Sequence, residues 1–296
     1  MPPEQNILEA IANKLLVDPA LPEKENFVVQ IIKKIAEELY FDDGMLVFGG
    51  GTCLSCGYGI IKRFSEDIDF IFVTNATRSH TGMARKKIIN FIHSLKGFSI
   101  VDEPKNDSHR LAFNLDYSKN PNFTNRTSLR EFIKIEFYFP EHKLFFDPVM
   151  KPVTSLYDRF TGILAETRIN CIDLREITID KISAMLWRIA SENFKPTDLR
   201  HLHDLAILSN KINIDDNFIK IMHQVYDLDR KNRIKSIGQS FEIIASNTID
   251  KLSNNPCYSA DYNKFVDAMS YARDNESISF ENALLKFKKL LFKLMQ

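Results

Sequence analysis

Met45-Leu46-Val47-Phe48 running into Gly49-Gly50-Gly51-Thr52, and Arg63-Phe64-Ser65-Glu66 running into Asp67-Ile68-Asp69-Phe70, are the stretches whose reading decides this fold. The first opens as a short apolar strand after the helix-stopping Asp42-Asp43-Gly44 and breaks into a glycine turn. Such a turn lets backbone N–H groups approach a phosphate, and a helix expected around residues 53–58 adds a favourable dipole. The Thr52 hydroxyl can also donate to a phosphate oxygen. The alternative is that Gly50 and Gly51 only make a tight strand-to-helix turn. Other phosphate loops fit poorly: no GK[ST] follows the glycines, and a dinucleotide fingerprint begun at Gly49 would put its third glycine on Leu54.

Residues 67–73 are rich enough in Ile, Phe and Val for a buried strand. Side chains at i and i+2 leave a strand on one face, so Asp67 and Asp69 project together while Ile68 and Phe70 face the core. Two adjacent carboxylates repel unless a cation sits between them. Mg²⁺ suits them, since it takes one or two carboxylates together with waters and substrate phosphates. A bare Asp-x-Asp is common. Asp227-Leu228-Asp229 is another, but in an expected helix, where i and i+2 diverge, and it carries no catalytic weight. A third carboxylate comes from residues 132–139: Ile133, Ile135, Phe137 and Phe139 form an apolar face, which sends Lys134, Glu136 and Tyr138 to the other. Glu136 in so hydrophobic a strand is costly unless paired or bound to metal; the alternative is a sheet edge with a solvated face.

Around these stretches the first forty residues read as helical, with Phe27, Ile31, Ile35 and Leu39 at helical spacing. A helix is expected at 86–96, strands at 99–101 and 110–117, and an Asn/Thr-rich loop at 118–128. Beyond about residue 160 the chain turns to long amphipathic segments, ending in a helix at 280–294. The expected class is α+β, with a mixed-sheet domain at 1–160 and a helical domain at 161–296, the boundary falling between Pro152 and Glu166.

The 296 residues are 44% hydrophobic and 26% charged with zero net charge, which excludes a globally basic nucleic-acid binder and leaves only local patches. Candidates are the basic run from Arg230 to Lys235 and the group Lys286, Lys288, Lys289 and Lys293; the alternative for each is a solvated face. No apolar run approaches the roughly 20 residues that cross a bilayer, and the N-terminal residues lack a secretory pattern, so the expected compartment is the cytoplasm and no membrane partner is expected. Cys53 and Cys56 form a lone C-x-x-C without a second ligand pair, while Cys171 and Cys257 are isolated; small buried or loop thiols are the favoured reading.

The two opening stretches resemble the AbiEii/AbiGii toxin nucleotidyltransferases, which include the MenT toxins and belong to the DNA polymerase β-like superfamily. That pattern runs GGT-A-L, a spacer, R-x-S-x-D-x-D, a KIE-type strand, a helix bearing Lys and Arg, and an Asp in an R-D-x-Y-D-L run. Here the strand motif is Lys134-Ile135-Glu136, the basic helix carries Lys181 and Arg188, and the last motif is altered to Arg200-His201-Leu202-His203-Asp204-Leu205, with Asp198 as a rival for its Asp. Cys53 stands where Ala is usual. The resemblance spans about residues 45–210.

It implies a polymerase β-like nucleotidyltransferase fold and a Mg²⁺-dependent enzyme (Mn²⁺ serving in its place), with Asp67, Asp69 and Glu136 as metal and catalytic carboxylates. It assigns Gly50, Gly51, Thr52, Arg63 and Ser65 to the nucleotide, the last two also readable as loop packing. Lys181 and Arg188, two helical turns apart, would share a face and clamp the triphosphate, the alternative being solvated surface cations. Asp204 would orient Lys181 or act near the acceptor. His201 and His203 are too divergent on a helix for a zinc site. The reaction implied is transfer of an NMP from an NTP to an acceptor hydroxyl, the 3′ end of tRNA, by the toxin partner of a cognate antitoxin. The rivals are a nucleotidyltransferase with an antibiotic or protein acceptor, and a non-catalytic nucleotide- or antitoxin-binding module.

Overall fold

Alternation builds the central strand. In β2 (Asp67–Val73), Ile68, Phe70 and Phe72 are buried, while Asp67, Asp69, Ile71 and Val73 are half-exposed on the other face. The computed structural model describes residues 2–74, 78–123, 129–140, 143–232 and 239–296, so part of the loop expected at 118–128 and residues 233–235 of the basic run lie outside the described residues.

The first compact unit is Met1–Ile172. Its helices are α1 (Gln5–Leu15), α2 (Ala20–Glu38), the single turn α3 (Gly50–Thr52) leading into a π-turn at Cys53–Gly57, α4 (Arg78–Ser94) and α5 (Leu156–Thr161). The other strands are β1 (Met45–Gly49), β3 (Phe98–Ile100), β4 (Lys105–Asn106), β5 (Arg110–Tyr117), β6 (Ile133–Tyr138), β7 (Val149–Pro152) and β8 (Arg168–Cys171). Among the described residues they form one mixed sheet in the order β3-β5-β6-β2-β1-β8-β7, with β4 also paired to β5. β2 runs antiparallel to β1 and parallel to β6.

The apolar face holds the core. Phe48, Phe70 and Phe137 form a row across β1, β2 and β6, with ring centroids 5.4 and 5.7 Å apart, and Phe113 meets Phe137 edge-on. α2 lies against this face through Phe27, which packs on Phe98 and Tyr117. α2 also buries Glu23, Lys24 and Glu25. Glu25 accepts the Leu156 backbone N–H (3.0 Å) and the Cys56 thiol, with Arg159 at 3.8 Å.

The second unit is Asp173–Gln296 and contains α6 (Leu174–Ala190), α7 (Leu199–Leu208), α8 (Asp216–Asn232), α9 (Phe241–Asn254), α10 (Pro256–Met269) and α11 (Phe280–Leu294). α7 packs on α6, α10 and α11. α11 buries Phe280, Ala283, Leu284, Phe287, Leu290, Leu291 and Leu294 at helical spacing. The units divide at Ile172 rather than residue 160, because β8 pairs with β7 and, at Cys171, with Phe48 of β1. Strands this short give no alternation long enough to read, so β7 and β8 were not expected.

Burial pushes the Glu25 carboxyl up to about 7 from an ordinary 4.5, against the opposing Leu156 N–H. A carboxyl that holds its proton longer in the folded state loses stability as pH rises between these two values. Glu25→Gln is expected to be neutral at pH 4.5 and to stabilise by up to about 3 kcal/mol at pH 8, measured by urea melts across pH. A pH-independent difference would overturn this.

Candidate active site

Strand register brings the carboxylates together. Lys105, Ala112, Glu136, Asp69 and Gly49 lie in one transverse row, contributed by β4, β5, β6, β2 and β1. The neighbouring row is Asn114, Lys134 and Asp67. Directly paired residues share a face, so Asp67, Asp69 and Glu136 converge on the face away from the aromatic core. Tyr138 reports this convergence: burial, then the charges of Asp69 and Glu136, raise its phenol pKa. β6 is flanked by β5 and β2, so the sheet-edge reading of Glu136 is excluded; the side chain is only 6% exposed.

Glu136 and Asp67 have cations against them. Glu136 accepts from Arg110 Nη1 at 3.1 Å and Lys134 Nζ at 2.7 Å. Arg130 Nη2 lies 2.6 Å from Asp67 Oδ1, while its Nε and backbone N–H donate to Glu66. Buried Lys24 ties this network to α2, bonding Glu66 and, at 2.6 Å, the Arg130 carbonyl. Burial opposes the Arg130 charge, but Asp67 and Glu66 outweigh it and raise its pKa. Sequence reading missed Lys24, Arg110 and Arg130. Lys24 reads as an ordinary solvated helix cation, and nothing local links Arg110 or Arg130 to residues far along the chain.

The glycine turn closes tightly on the same face. Gly50 has φ +71°, and a Cβ there would lie 2.2 Å from Asp69 Oδ2. A Cβ on Gly51 would lie 2.6 Å from Arg63 Nη2 and 2.9 Å from Ser65 Oγ. The glycines therefore admit the carboxylate and guanidinium, besides making the turn. Thr52 corrects the expectation of a phosphate donor: it is fully buried, and its hydroxyl donates to the Asp67 carbonyl, tying the turn to β2. Arg63 is buried too, with Nη1 donating to the Phe64 carbonyl at 2.9 Å, the geometry of its loop-packing alternative.

In the helical unit, Lys181 Nζ donates to Asp204 Oδ2 at 2.8 Å, both side chains being buried. Arg188 Nη1 lies 2.6 Å from Asp198 Oδ1 and 2.8 Å from His201 Nε2. The rival aspartates thus take different partners, Asp204 holding Lys181 and Asp198 holding Arg188. A guanidinium only donates, so His201 accepts through Nε2 and is neutral. Burial, then the charges of Lys181, Arg200 and Arg188, hold its pKa well below normal. His203 turns instead toward Asp204, Tyr262 and Phe265, so the histidines do not converge. Asp229 accepts from Ser183 and Asp227 pairs with Arg230, so that Asp-x-Asp is divided between separate partners. Cys53, Cys56 and Cys171 are buried, and burial raises the first two thiols well above normal, as inert thiols require.

Among the described residues, no group of three or more His, Cys, Asp or Glu side chains is placed to hold a metal ion by itself. Mg²⁺ needs no such group: one or two carboxylates suffice when phosphates complete the shell. The hard-oxygen donors Asp67 and Asp69, sharing a face with Glu136, fit that requirement.

The family model for nucleotidyl transferase AbiEii toxins of type IV toxin–antitoxin systems matches residues 35–286. The chain belongs to the AbiEii toxin family. It is a nucleotidyltransferase, and its α+β fold is the one expected of this family. Among solved structures it is similar to MenT4, a nucleotidyltransferase toxin of Mycobacterium tuberculosis, at 13% identity and TM-score 0.63, over 98% of this chain and 89% of that one. It is also similar to an antigenic nucleotidyltransferase-like protein of Paracoccidioides brasiliensis, at 13% identity and TM-score 0.40, over 72% of this chain and 90% of that one. No curated protein sequence matches. No described helix of this AbiEii-family chain is long and apolar enough to cross a membrane.

Two substitutions probe this geometry. Gly50→Ala should destabilise the first unit and abolish nucleotidyl transfer, since both φ and the Asp69 carboxylate exclude a methyl group; wild-type melting and activity would sink that reading. Asp204→Ala, which takes the Asp204 carboxylate away from the buried Lys181 ammonium, should cost about 3–5 kcal/mol in denaturant melts, with much of the loss recovered by pairing Asp204→Leu with Lys181→Met.

Proposed function

We propose that this chain transfers an NMP from an NTP to the 3′ hydroxyl of an RNA, tRNA being the acceptor the resemblance suggests, as the toxin of a pair with a cognate antitoxin. The observation that carries the reading is the row that sets Asp69 between Gly49 of the glycine turn and Glu136. Phosphate-facing backbone, metal-type donors and a further carboxylate then adjoin on one sheet face.

Asp67 and Asp69 are assigned to Mg²⁺, with Mn²⁺ serving in its place and Glu136 completing the carboxylate set. The chemistry supplied by the metal when bound is Lewis acidity toward the triphosphate and the acceptor hydroxyl. The residues orient the reactants. The Gly50-Gly51 backbone receives the phosphates, and Thr52 and Arg63 hold that turn against β2. The acceptor oxygen forms a bond to the α-phosphorus, the bridging bond to the β-phosphate breaks, and pyrophosphate leaves. The proton of the attacking hydroxyl passes to Glu136. In the helical unit, Lys181, with Asp204 as its positioning residue, and Arg188 are the cations that the resemblance implies for the triphosphate. The cytoplasm is the proposed compartment, where NTP, Mg²⁺ and RNA occur together.

Asp67→Ala and Asp69→Ala should each lower NMP transfer by at least about 10³-fold while leaving the melting transition in place. Incubation with each of four radiolabelled NTPs, Mg²⁺ and total RNA, following both pyrophosphate release and labelled RNA, names donor and acceptor together. Release that needs a non-RNA acceptor would reassign the substrate, and no release under any condition would remove the transfer reading.

A further inference from the structure

On the side of the carboxylates away from the glycine turn, the same sheet face opens into a cavity of about 260 Å³ between β4, β5 and the approach to β6. Four cations line it (Lys105, Arg110, Arg130 and Lys134), with Phe132 as its aromatic wall and Asn114 on its floor. Three of these cations are the groups that touch the carboxylates: Arg130 on Asp67, and Arg110 and Lys134 on Glu136. The cavity therefore adjoins the carboxylate cluster through these three side chains. Ala112, directly opposite Glu136, is too small to fill the space between Glu136 and Lys105. Asp102 and Glu103 also line the cavity, Asp102 accepting a hydrogen bond from Asn114 at 2.9 Å. They confine a phosphate chain to the cationic side and offer acceptors to ribose hydroxyls or base amines.

We infer that this cavity is the acceptor subsite, seating the terminal nucleotide of a single-stranded RNA end. The inference rests on the RNA reading above and adds the place and the residues. In-line displacement requires the attacking oxygen to lie opposite the leaving group. With the triphosphate on the glycine turn beside β1, the attacking hydroxyl approaches from the β5–β6 flank, where the cavity lies. Its chemistry is that of single-strand recognition: cations track the phosphates and an aromatic face stacks a base. Its volume lies just below the roughly 300–1,000 Å³ of small-molecule pockets, which limits the occupant to a single nucleotide unit and excludes a duplex. Lys105 and Phe132 are specificity residues here, since neither bonds the carboxylates in the contacts described above.

The experiment uses the full chain and a hairpin RNA with a single-stranded 3′ overhang, labelled at its 5′ end. RNA binding is read by fluorescence anisotropy without NTP, and RNA and NTP KM values are read from labelling kinetics. Lys105→Glu and Phe132→Ala should each weaken RNA binding and raise the RNA KM about tenfold, the loss of one phosphate contact or one stacked base. The NTP KM should stay unchanged. Lys105→Ala should reduce the salt slope of RNA binding by about 1, and Phe132→Tyr, which keeps the ring, should restore binding. Thermal melts confirm that each variant folds. Unchanged RNA affinity in variants of a wild type that does label RNA would overturn the cavity assignment and leave the transfer reading standing. A raised NTP KM with unchanged RNA affinity would assign the cavity to the donor and likewise overturn it. A wild type that labels no RNA would remove the reading on which the cavity assignment depends.

Discussion

Three carboxylates on one face of a buried sheet repel, and the first unit is organised around compensating that charge. Parallel pairing of β2 with β6 sets Asp69 directly beside Glu136 and Asp67 beside Lys134. Arg110 and Lys134 bond Glu136, Arg130 reaches Asp67, and Glu66 and Lys24 anchor Arg130 to α2. Separated from this network, neither the buried lysine nor the carboxylates would be tolerated in these surroundings. The opposite face of the same strands is an apolar layer, with Phe48, Phe70, Phe137 and Phe113 in ring contact, that fixes the register by packing, and with it the carboxylate positions.

The glycine turn follows from the same constraint. Gly49 occupies the row of Asp69 and Glu136, and the chain must leave β1 without a side chain where the Asp69 carboxylate and the Arg63 guanidinium close in. Thr52 serves this closure by bonding the Asp67 carbonyl. Turn and metal-type strand are thus one mechanical piece. The helical unit uses a different device: two buried or half-buried ion pairs, Lys181 with Asp204 and Arg188 with Asp198, the second tied to a neutral His201.

Much of the fold was legible because its signals are local. Alternation at 67–73 and 132–139 gave both strands and the facing of Asp67, Asp69 and Glu136, and helical spacing gave α2 and α11. The short strands β7 and β8 carry too few residues for a period to show, so the boundary expected from sequence falls before the division at Ile172. The Thr52 hydroxyl has the local sequence of a ligand donor, because its burial depends on β2, which is distant in sequence.

The sequence by itself determined which residue types face together within each strand, since a period of two is a property of the backbone, and it carried motifs specific enough to indicate the family. Only the tertiary structure decided which strands lie side by side. Pairing partners are chosen by packing between distant segments, and that choice turned Glu136 from a residue of uncertain exposure into a buried neighbour of Asp69. It also brought Lys24, Arg110 and Arg130, whose sequence neighbours give no hint of it, around the carboxylates.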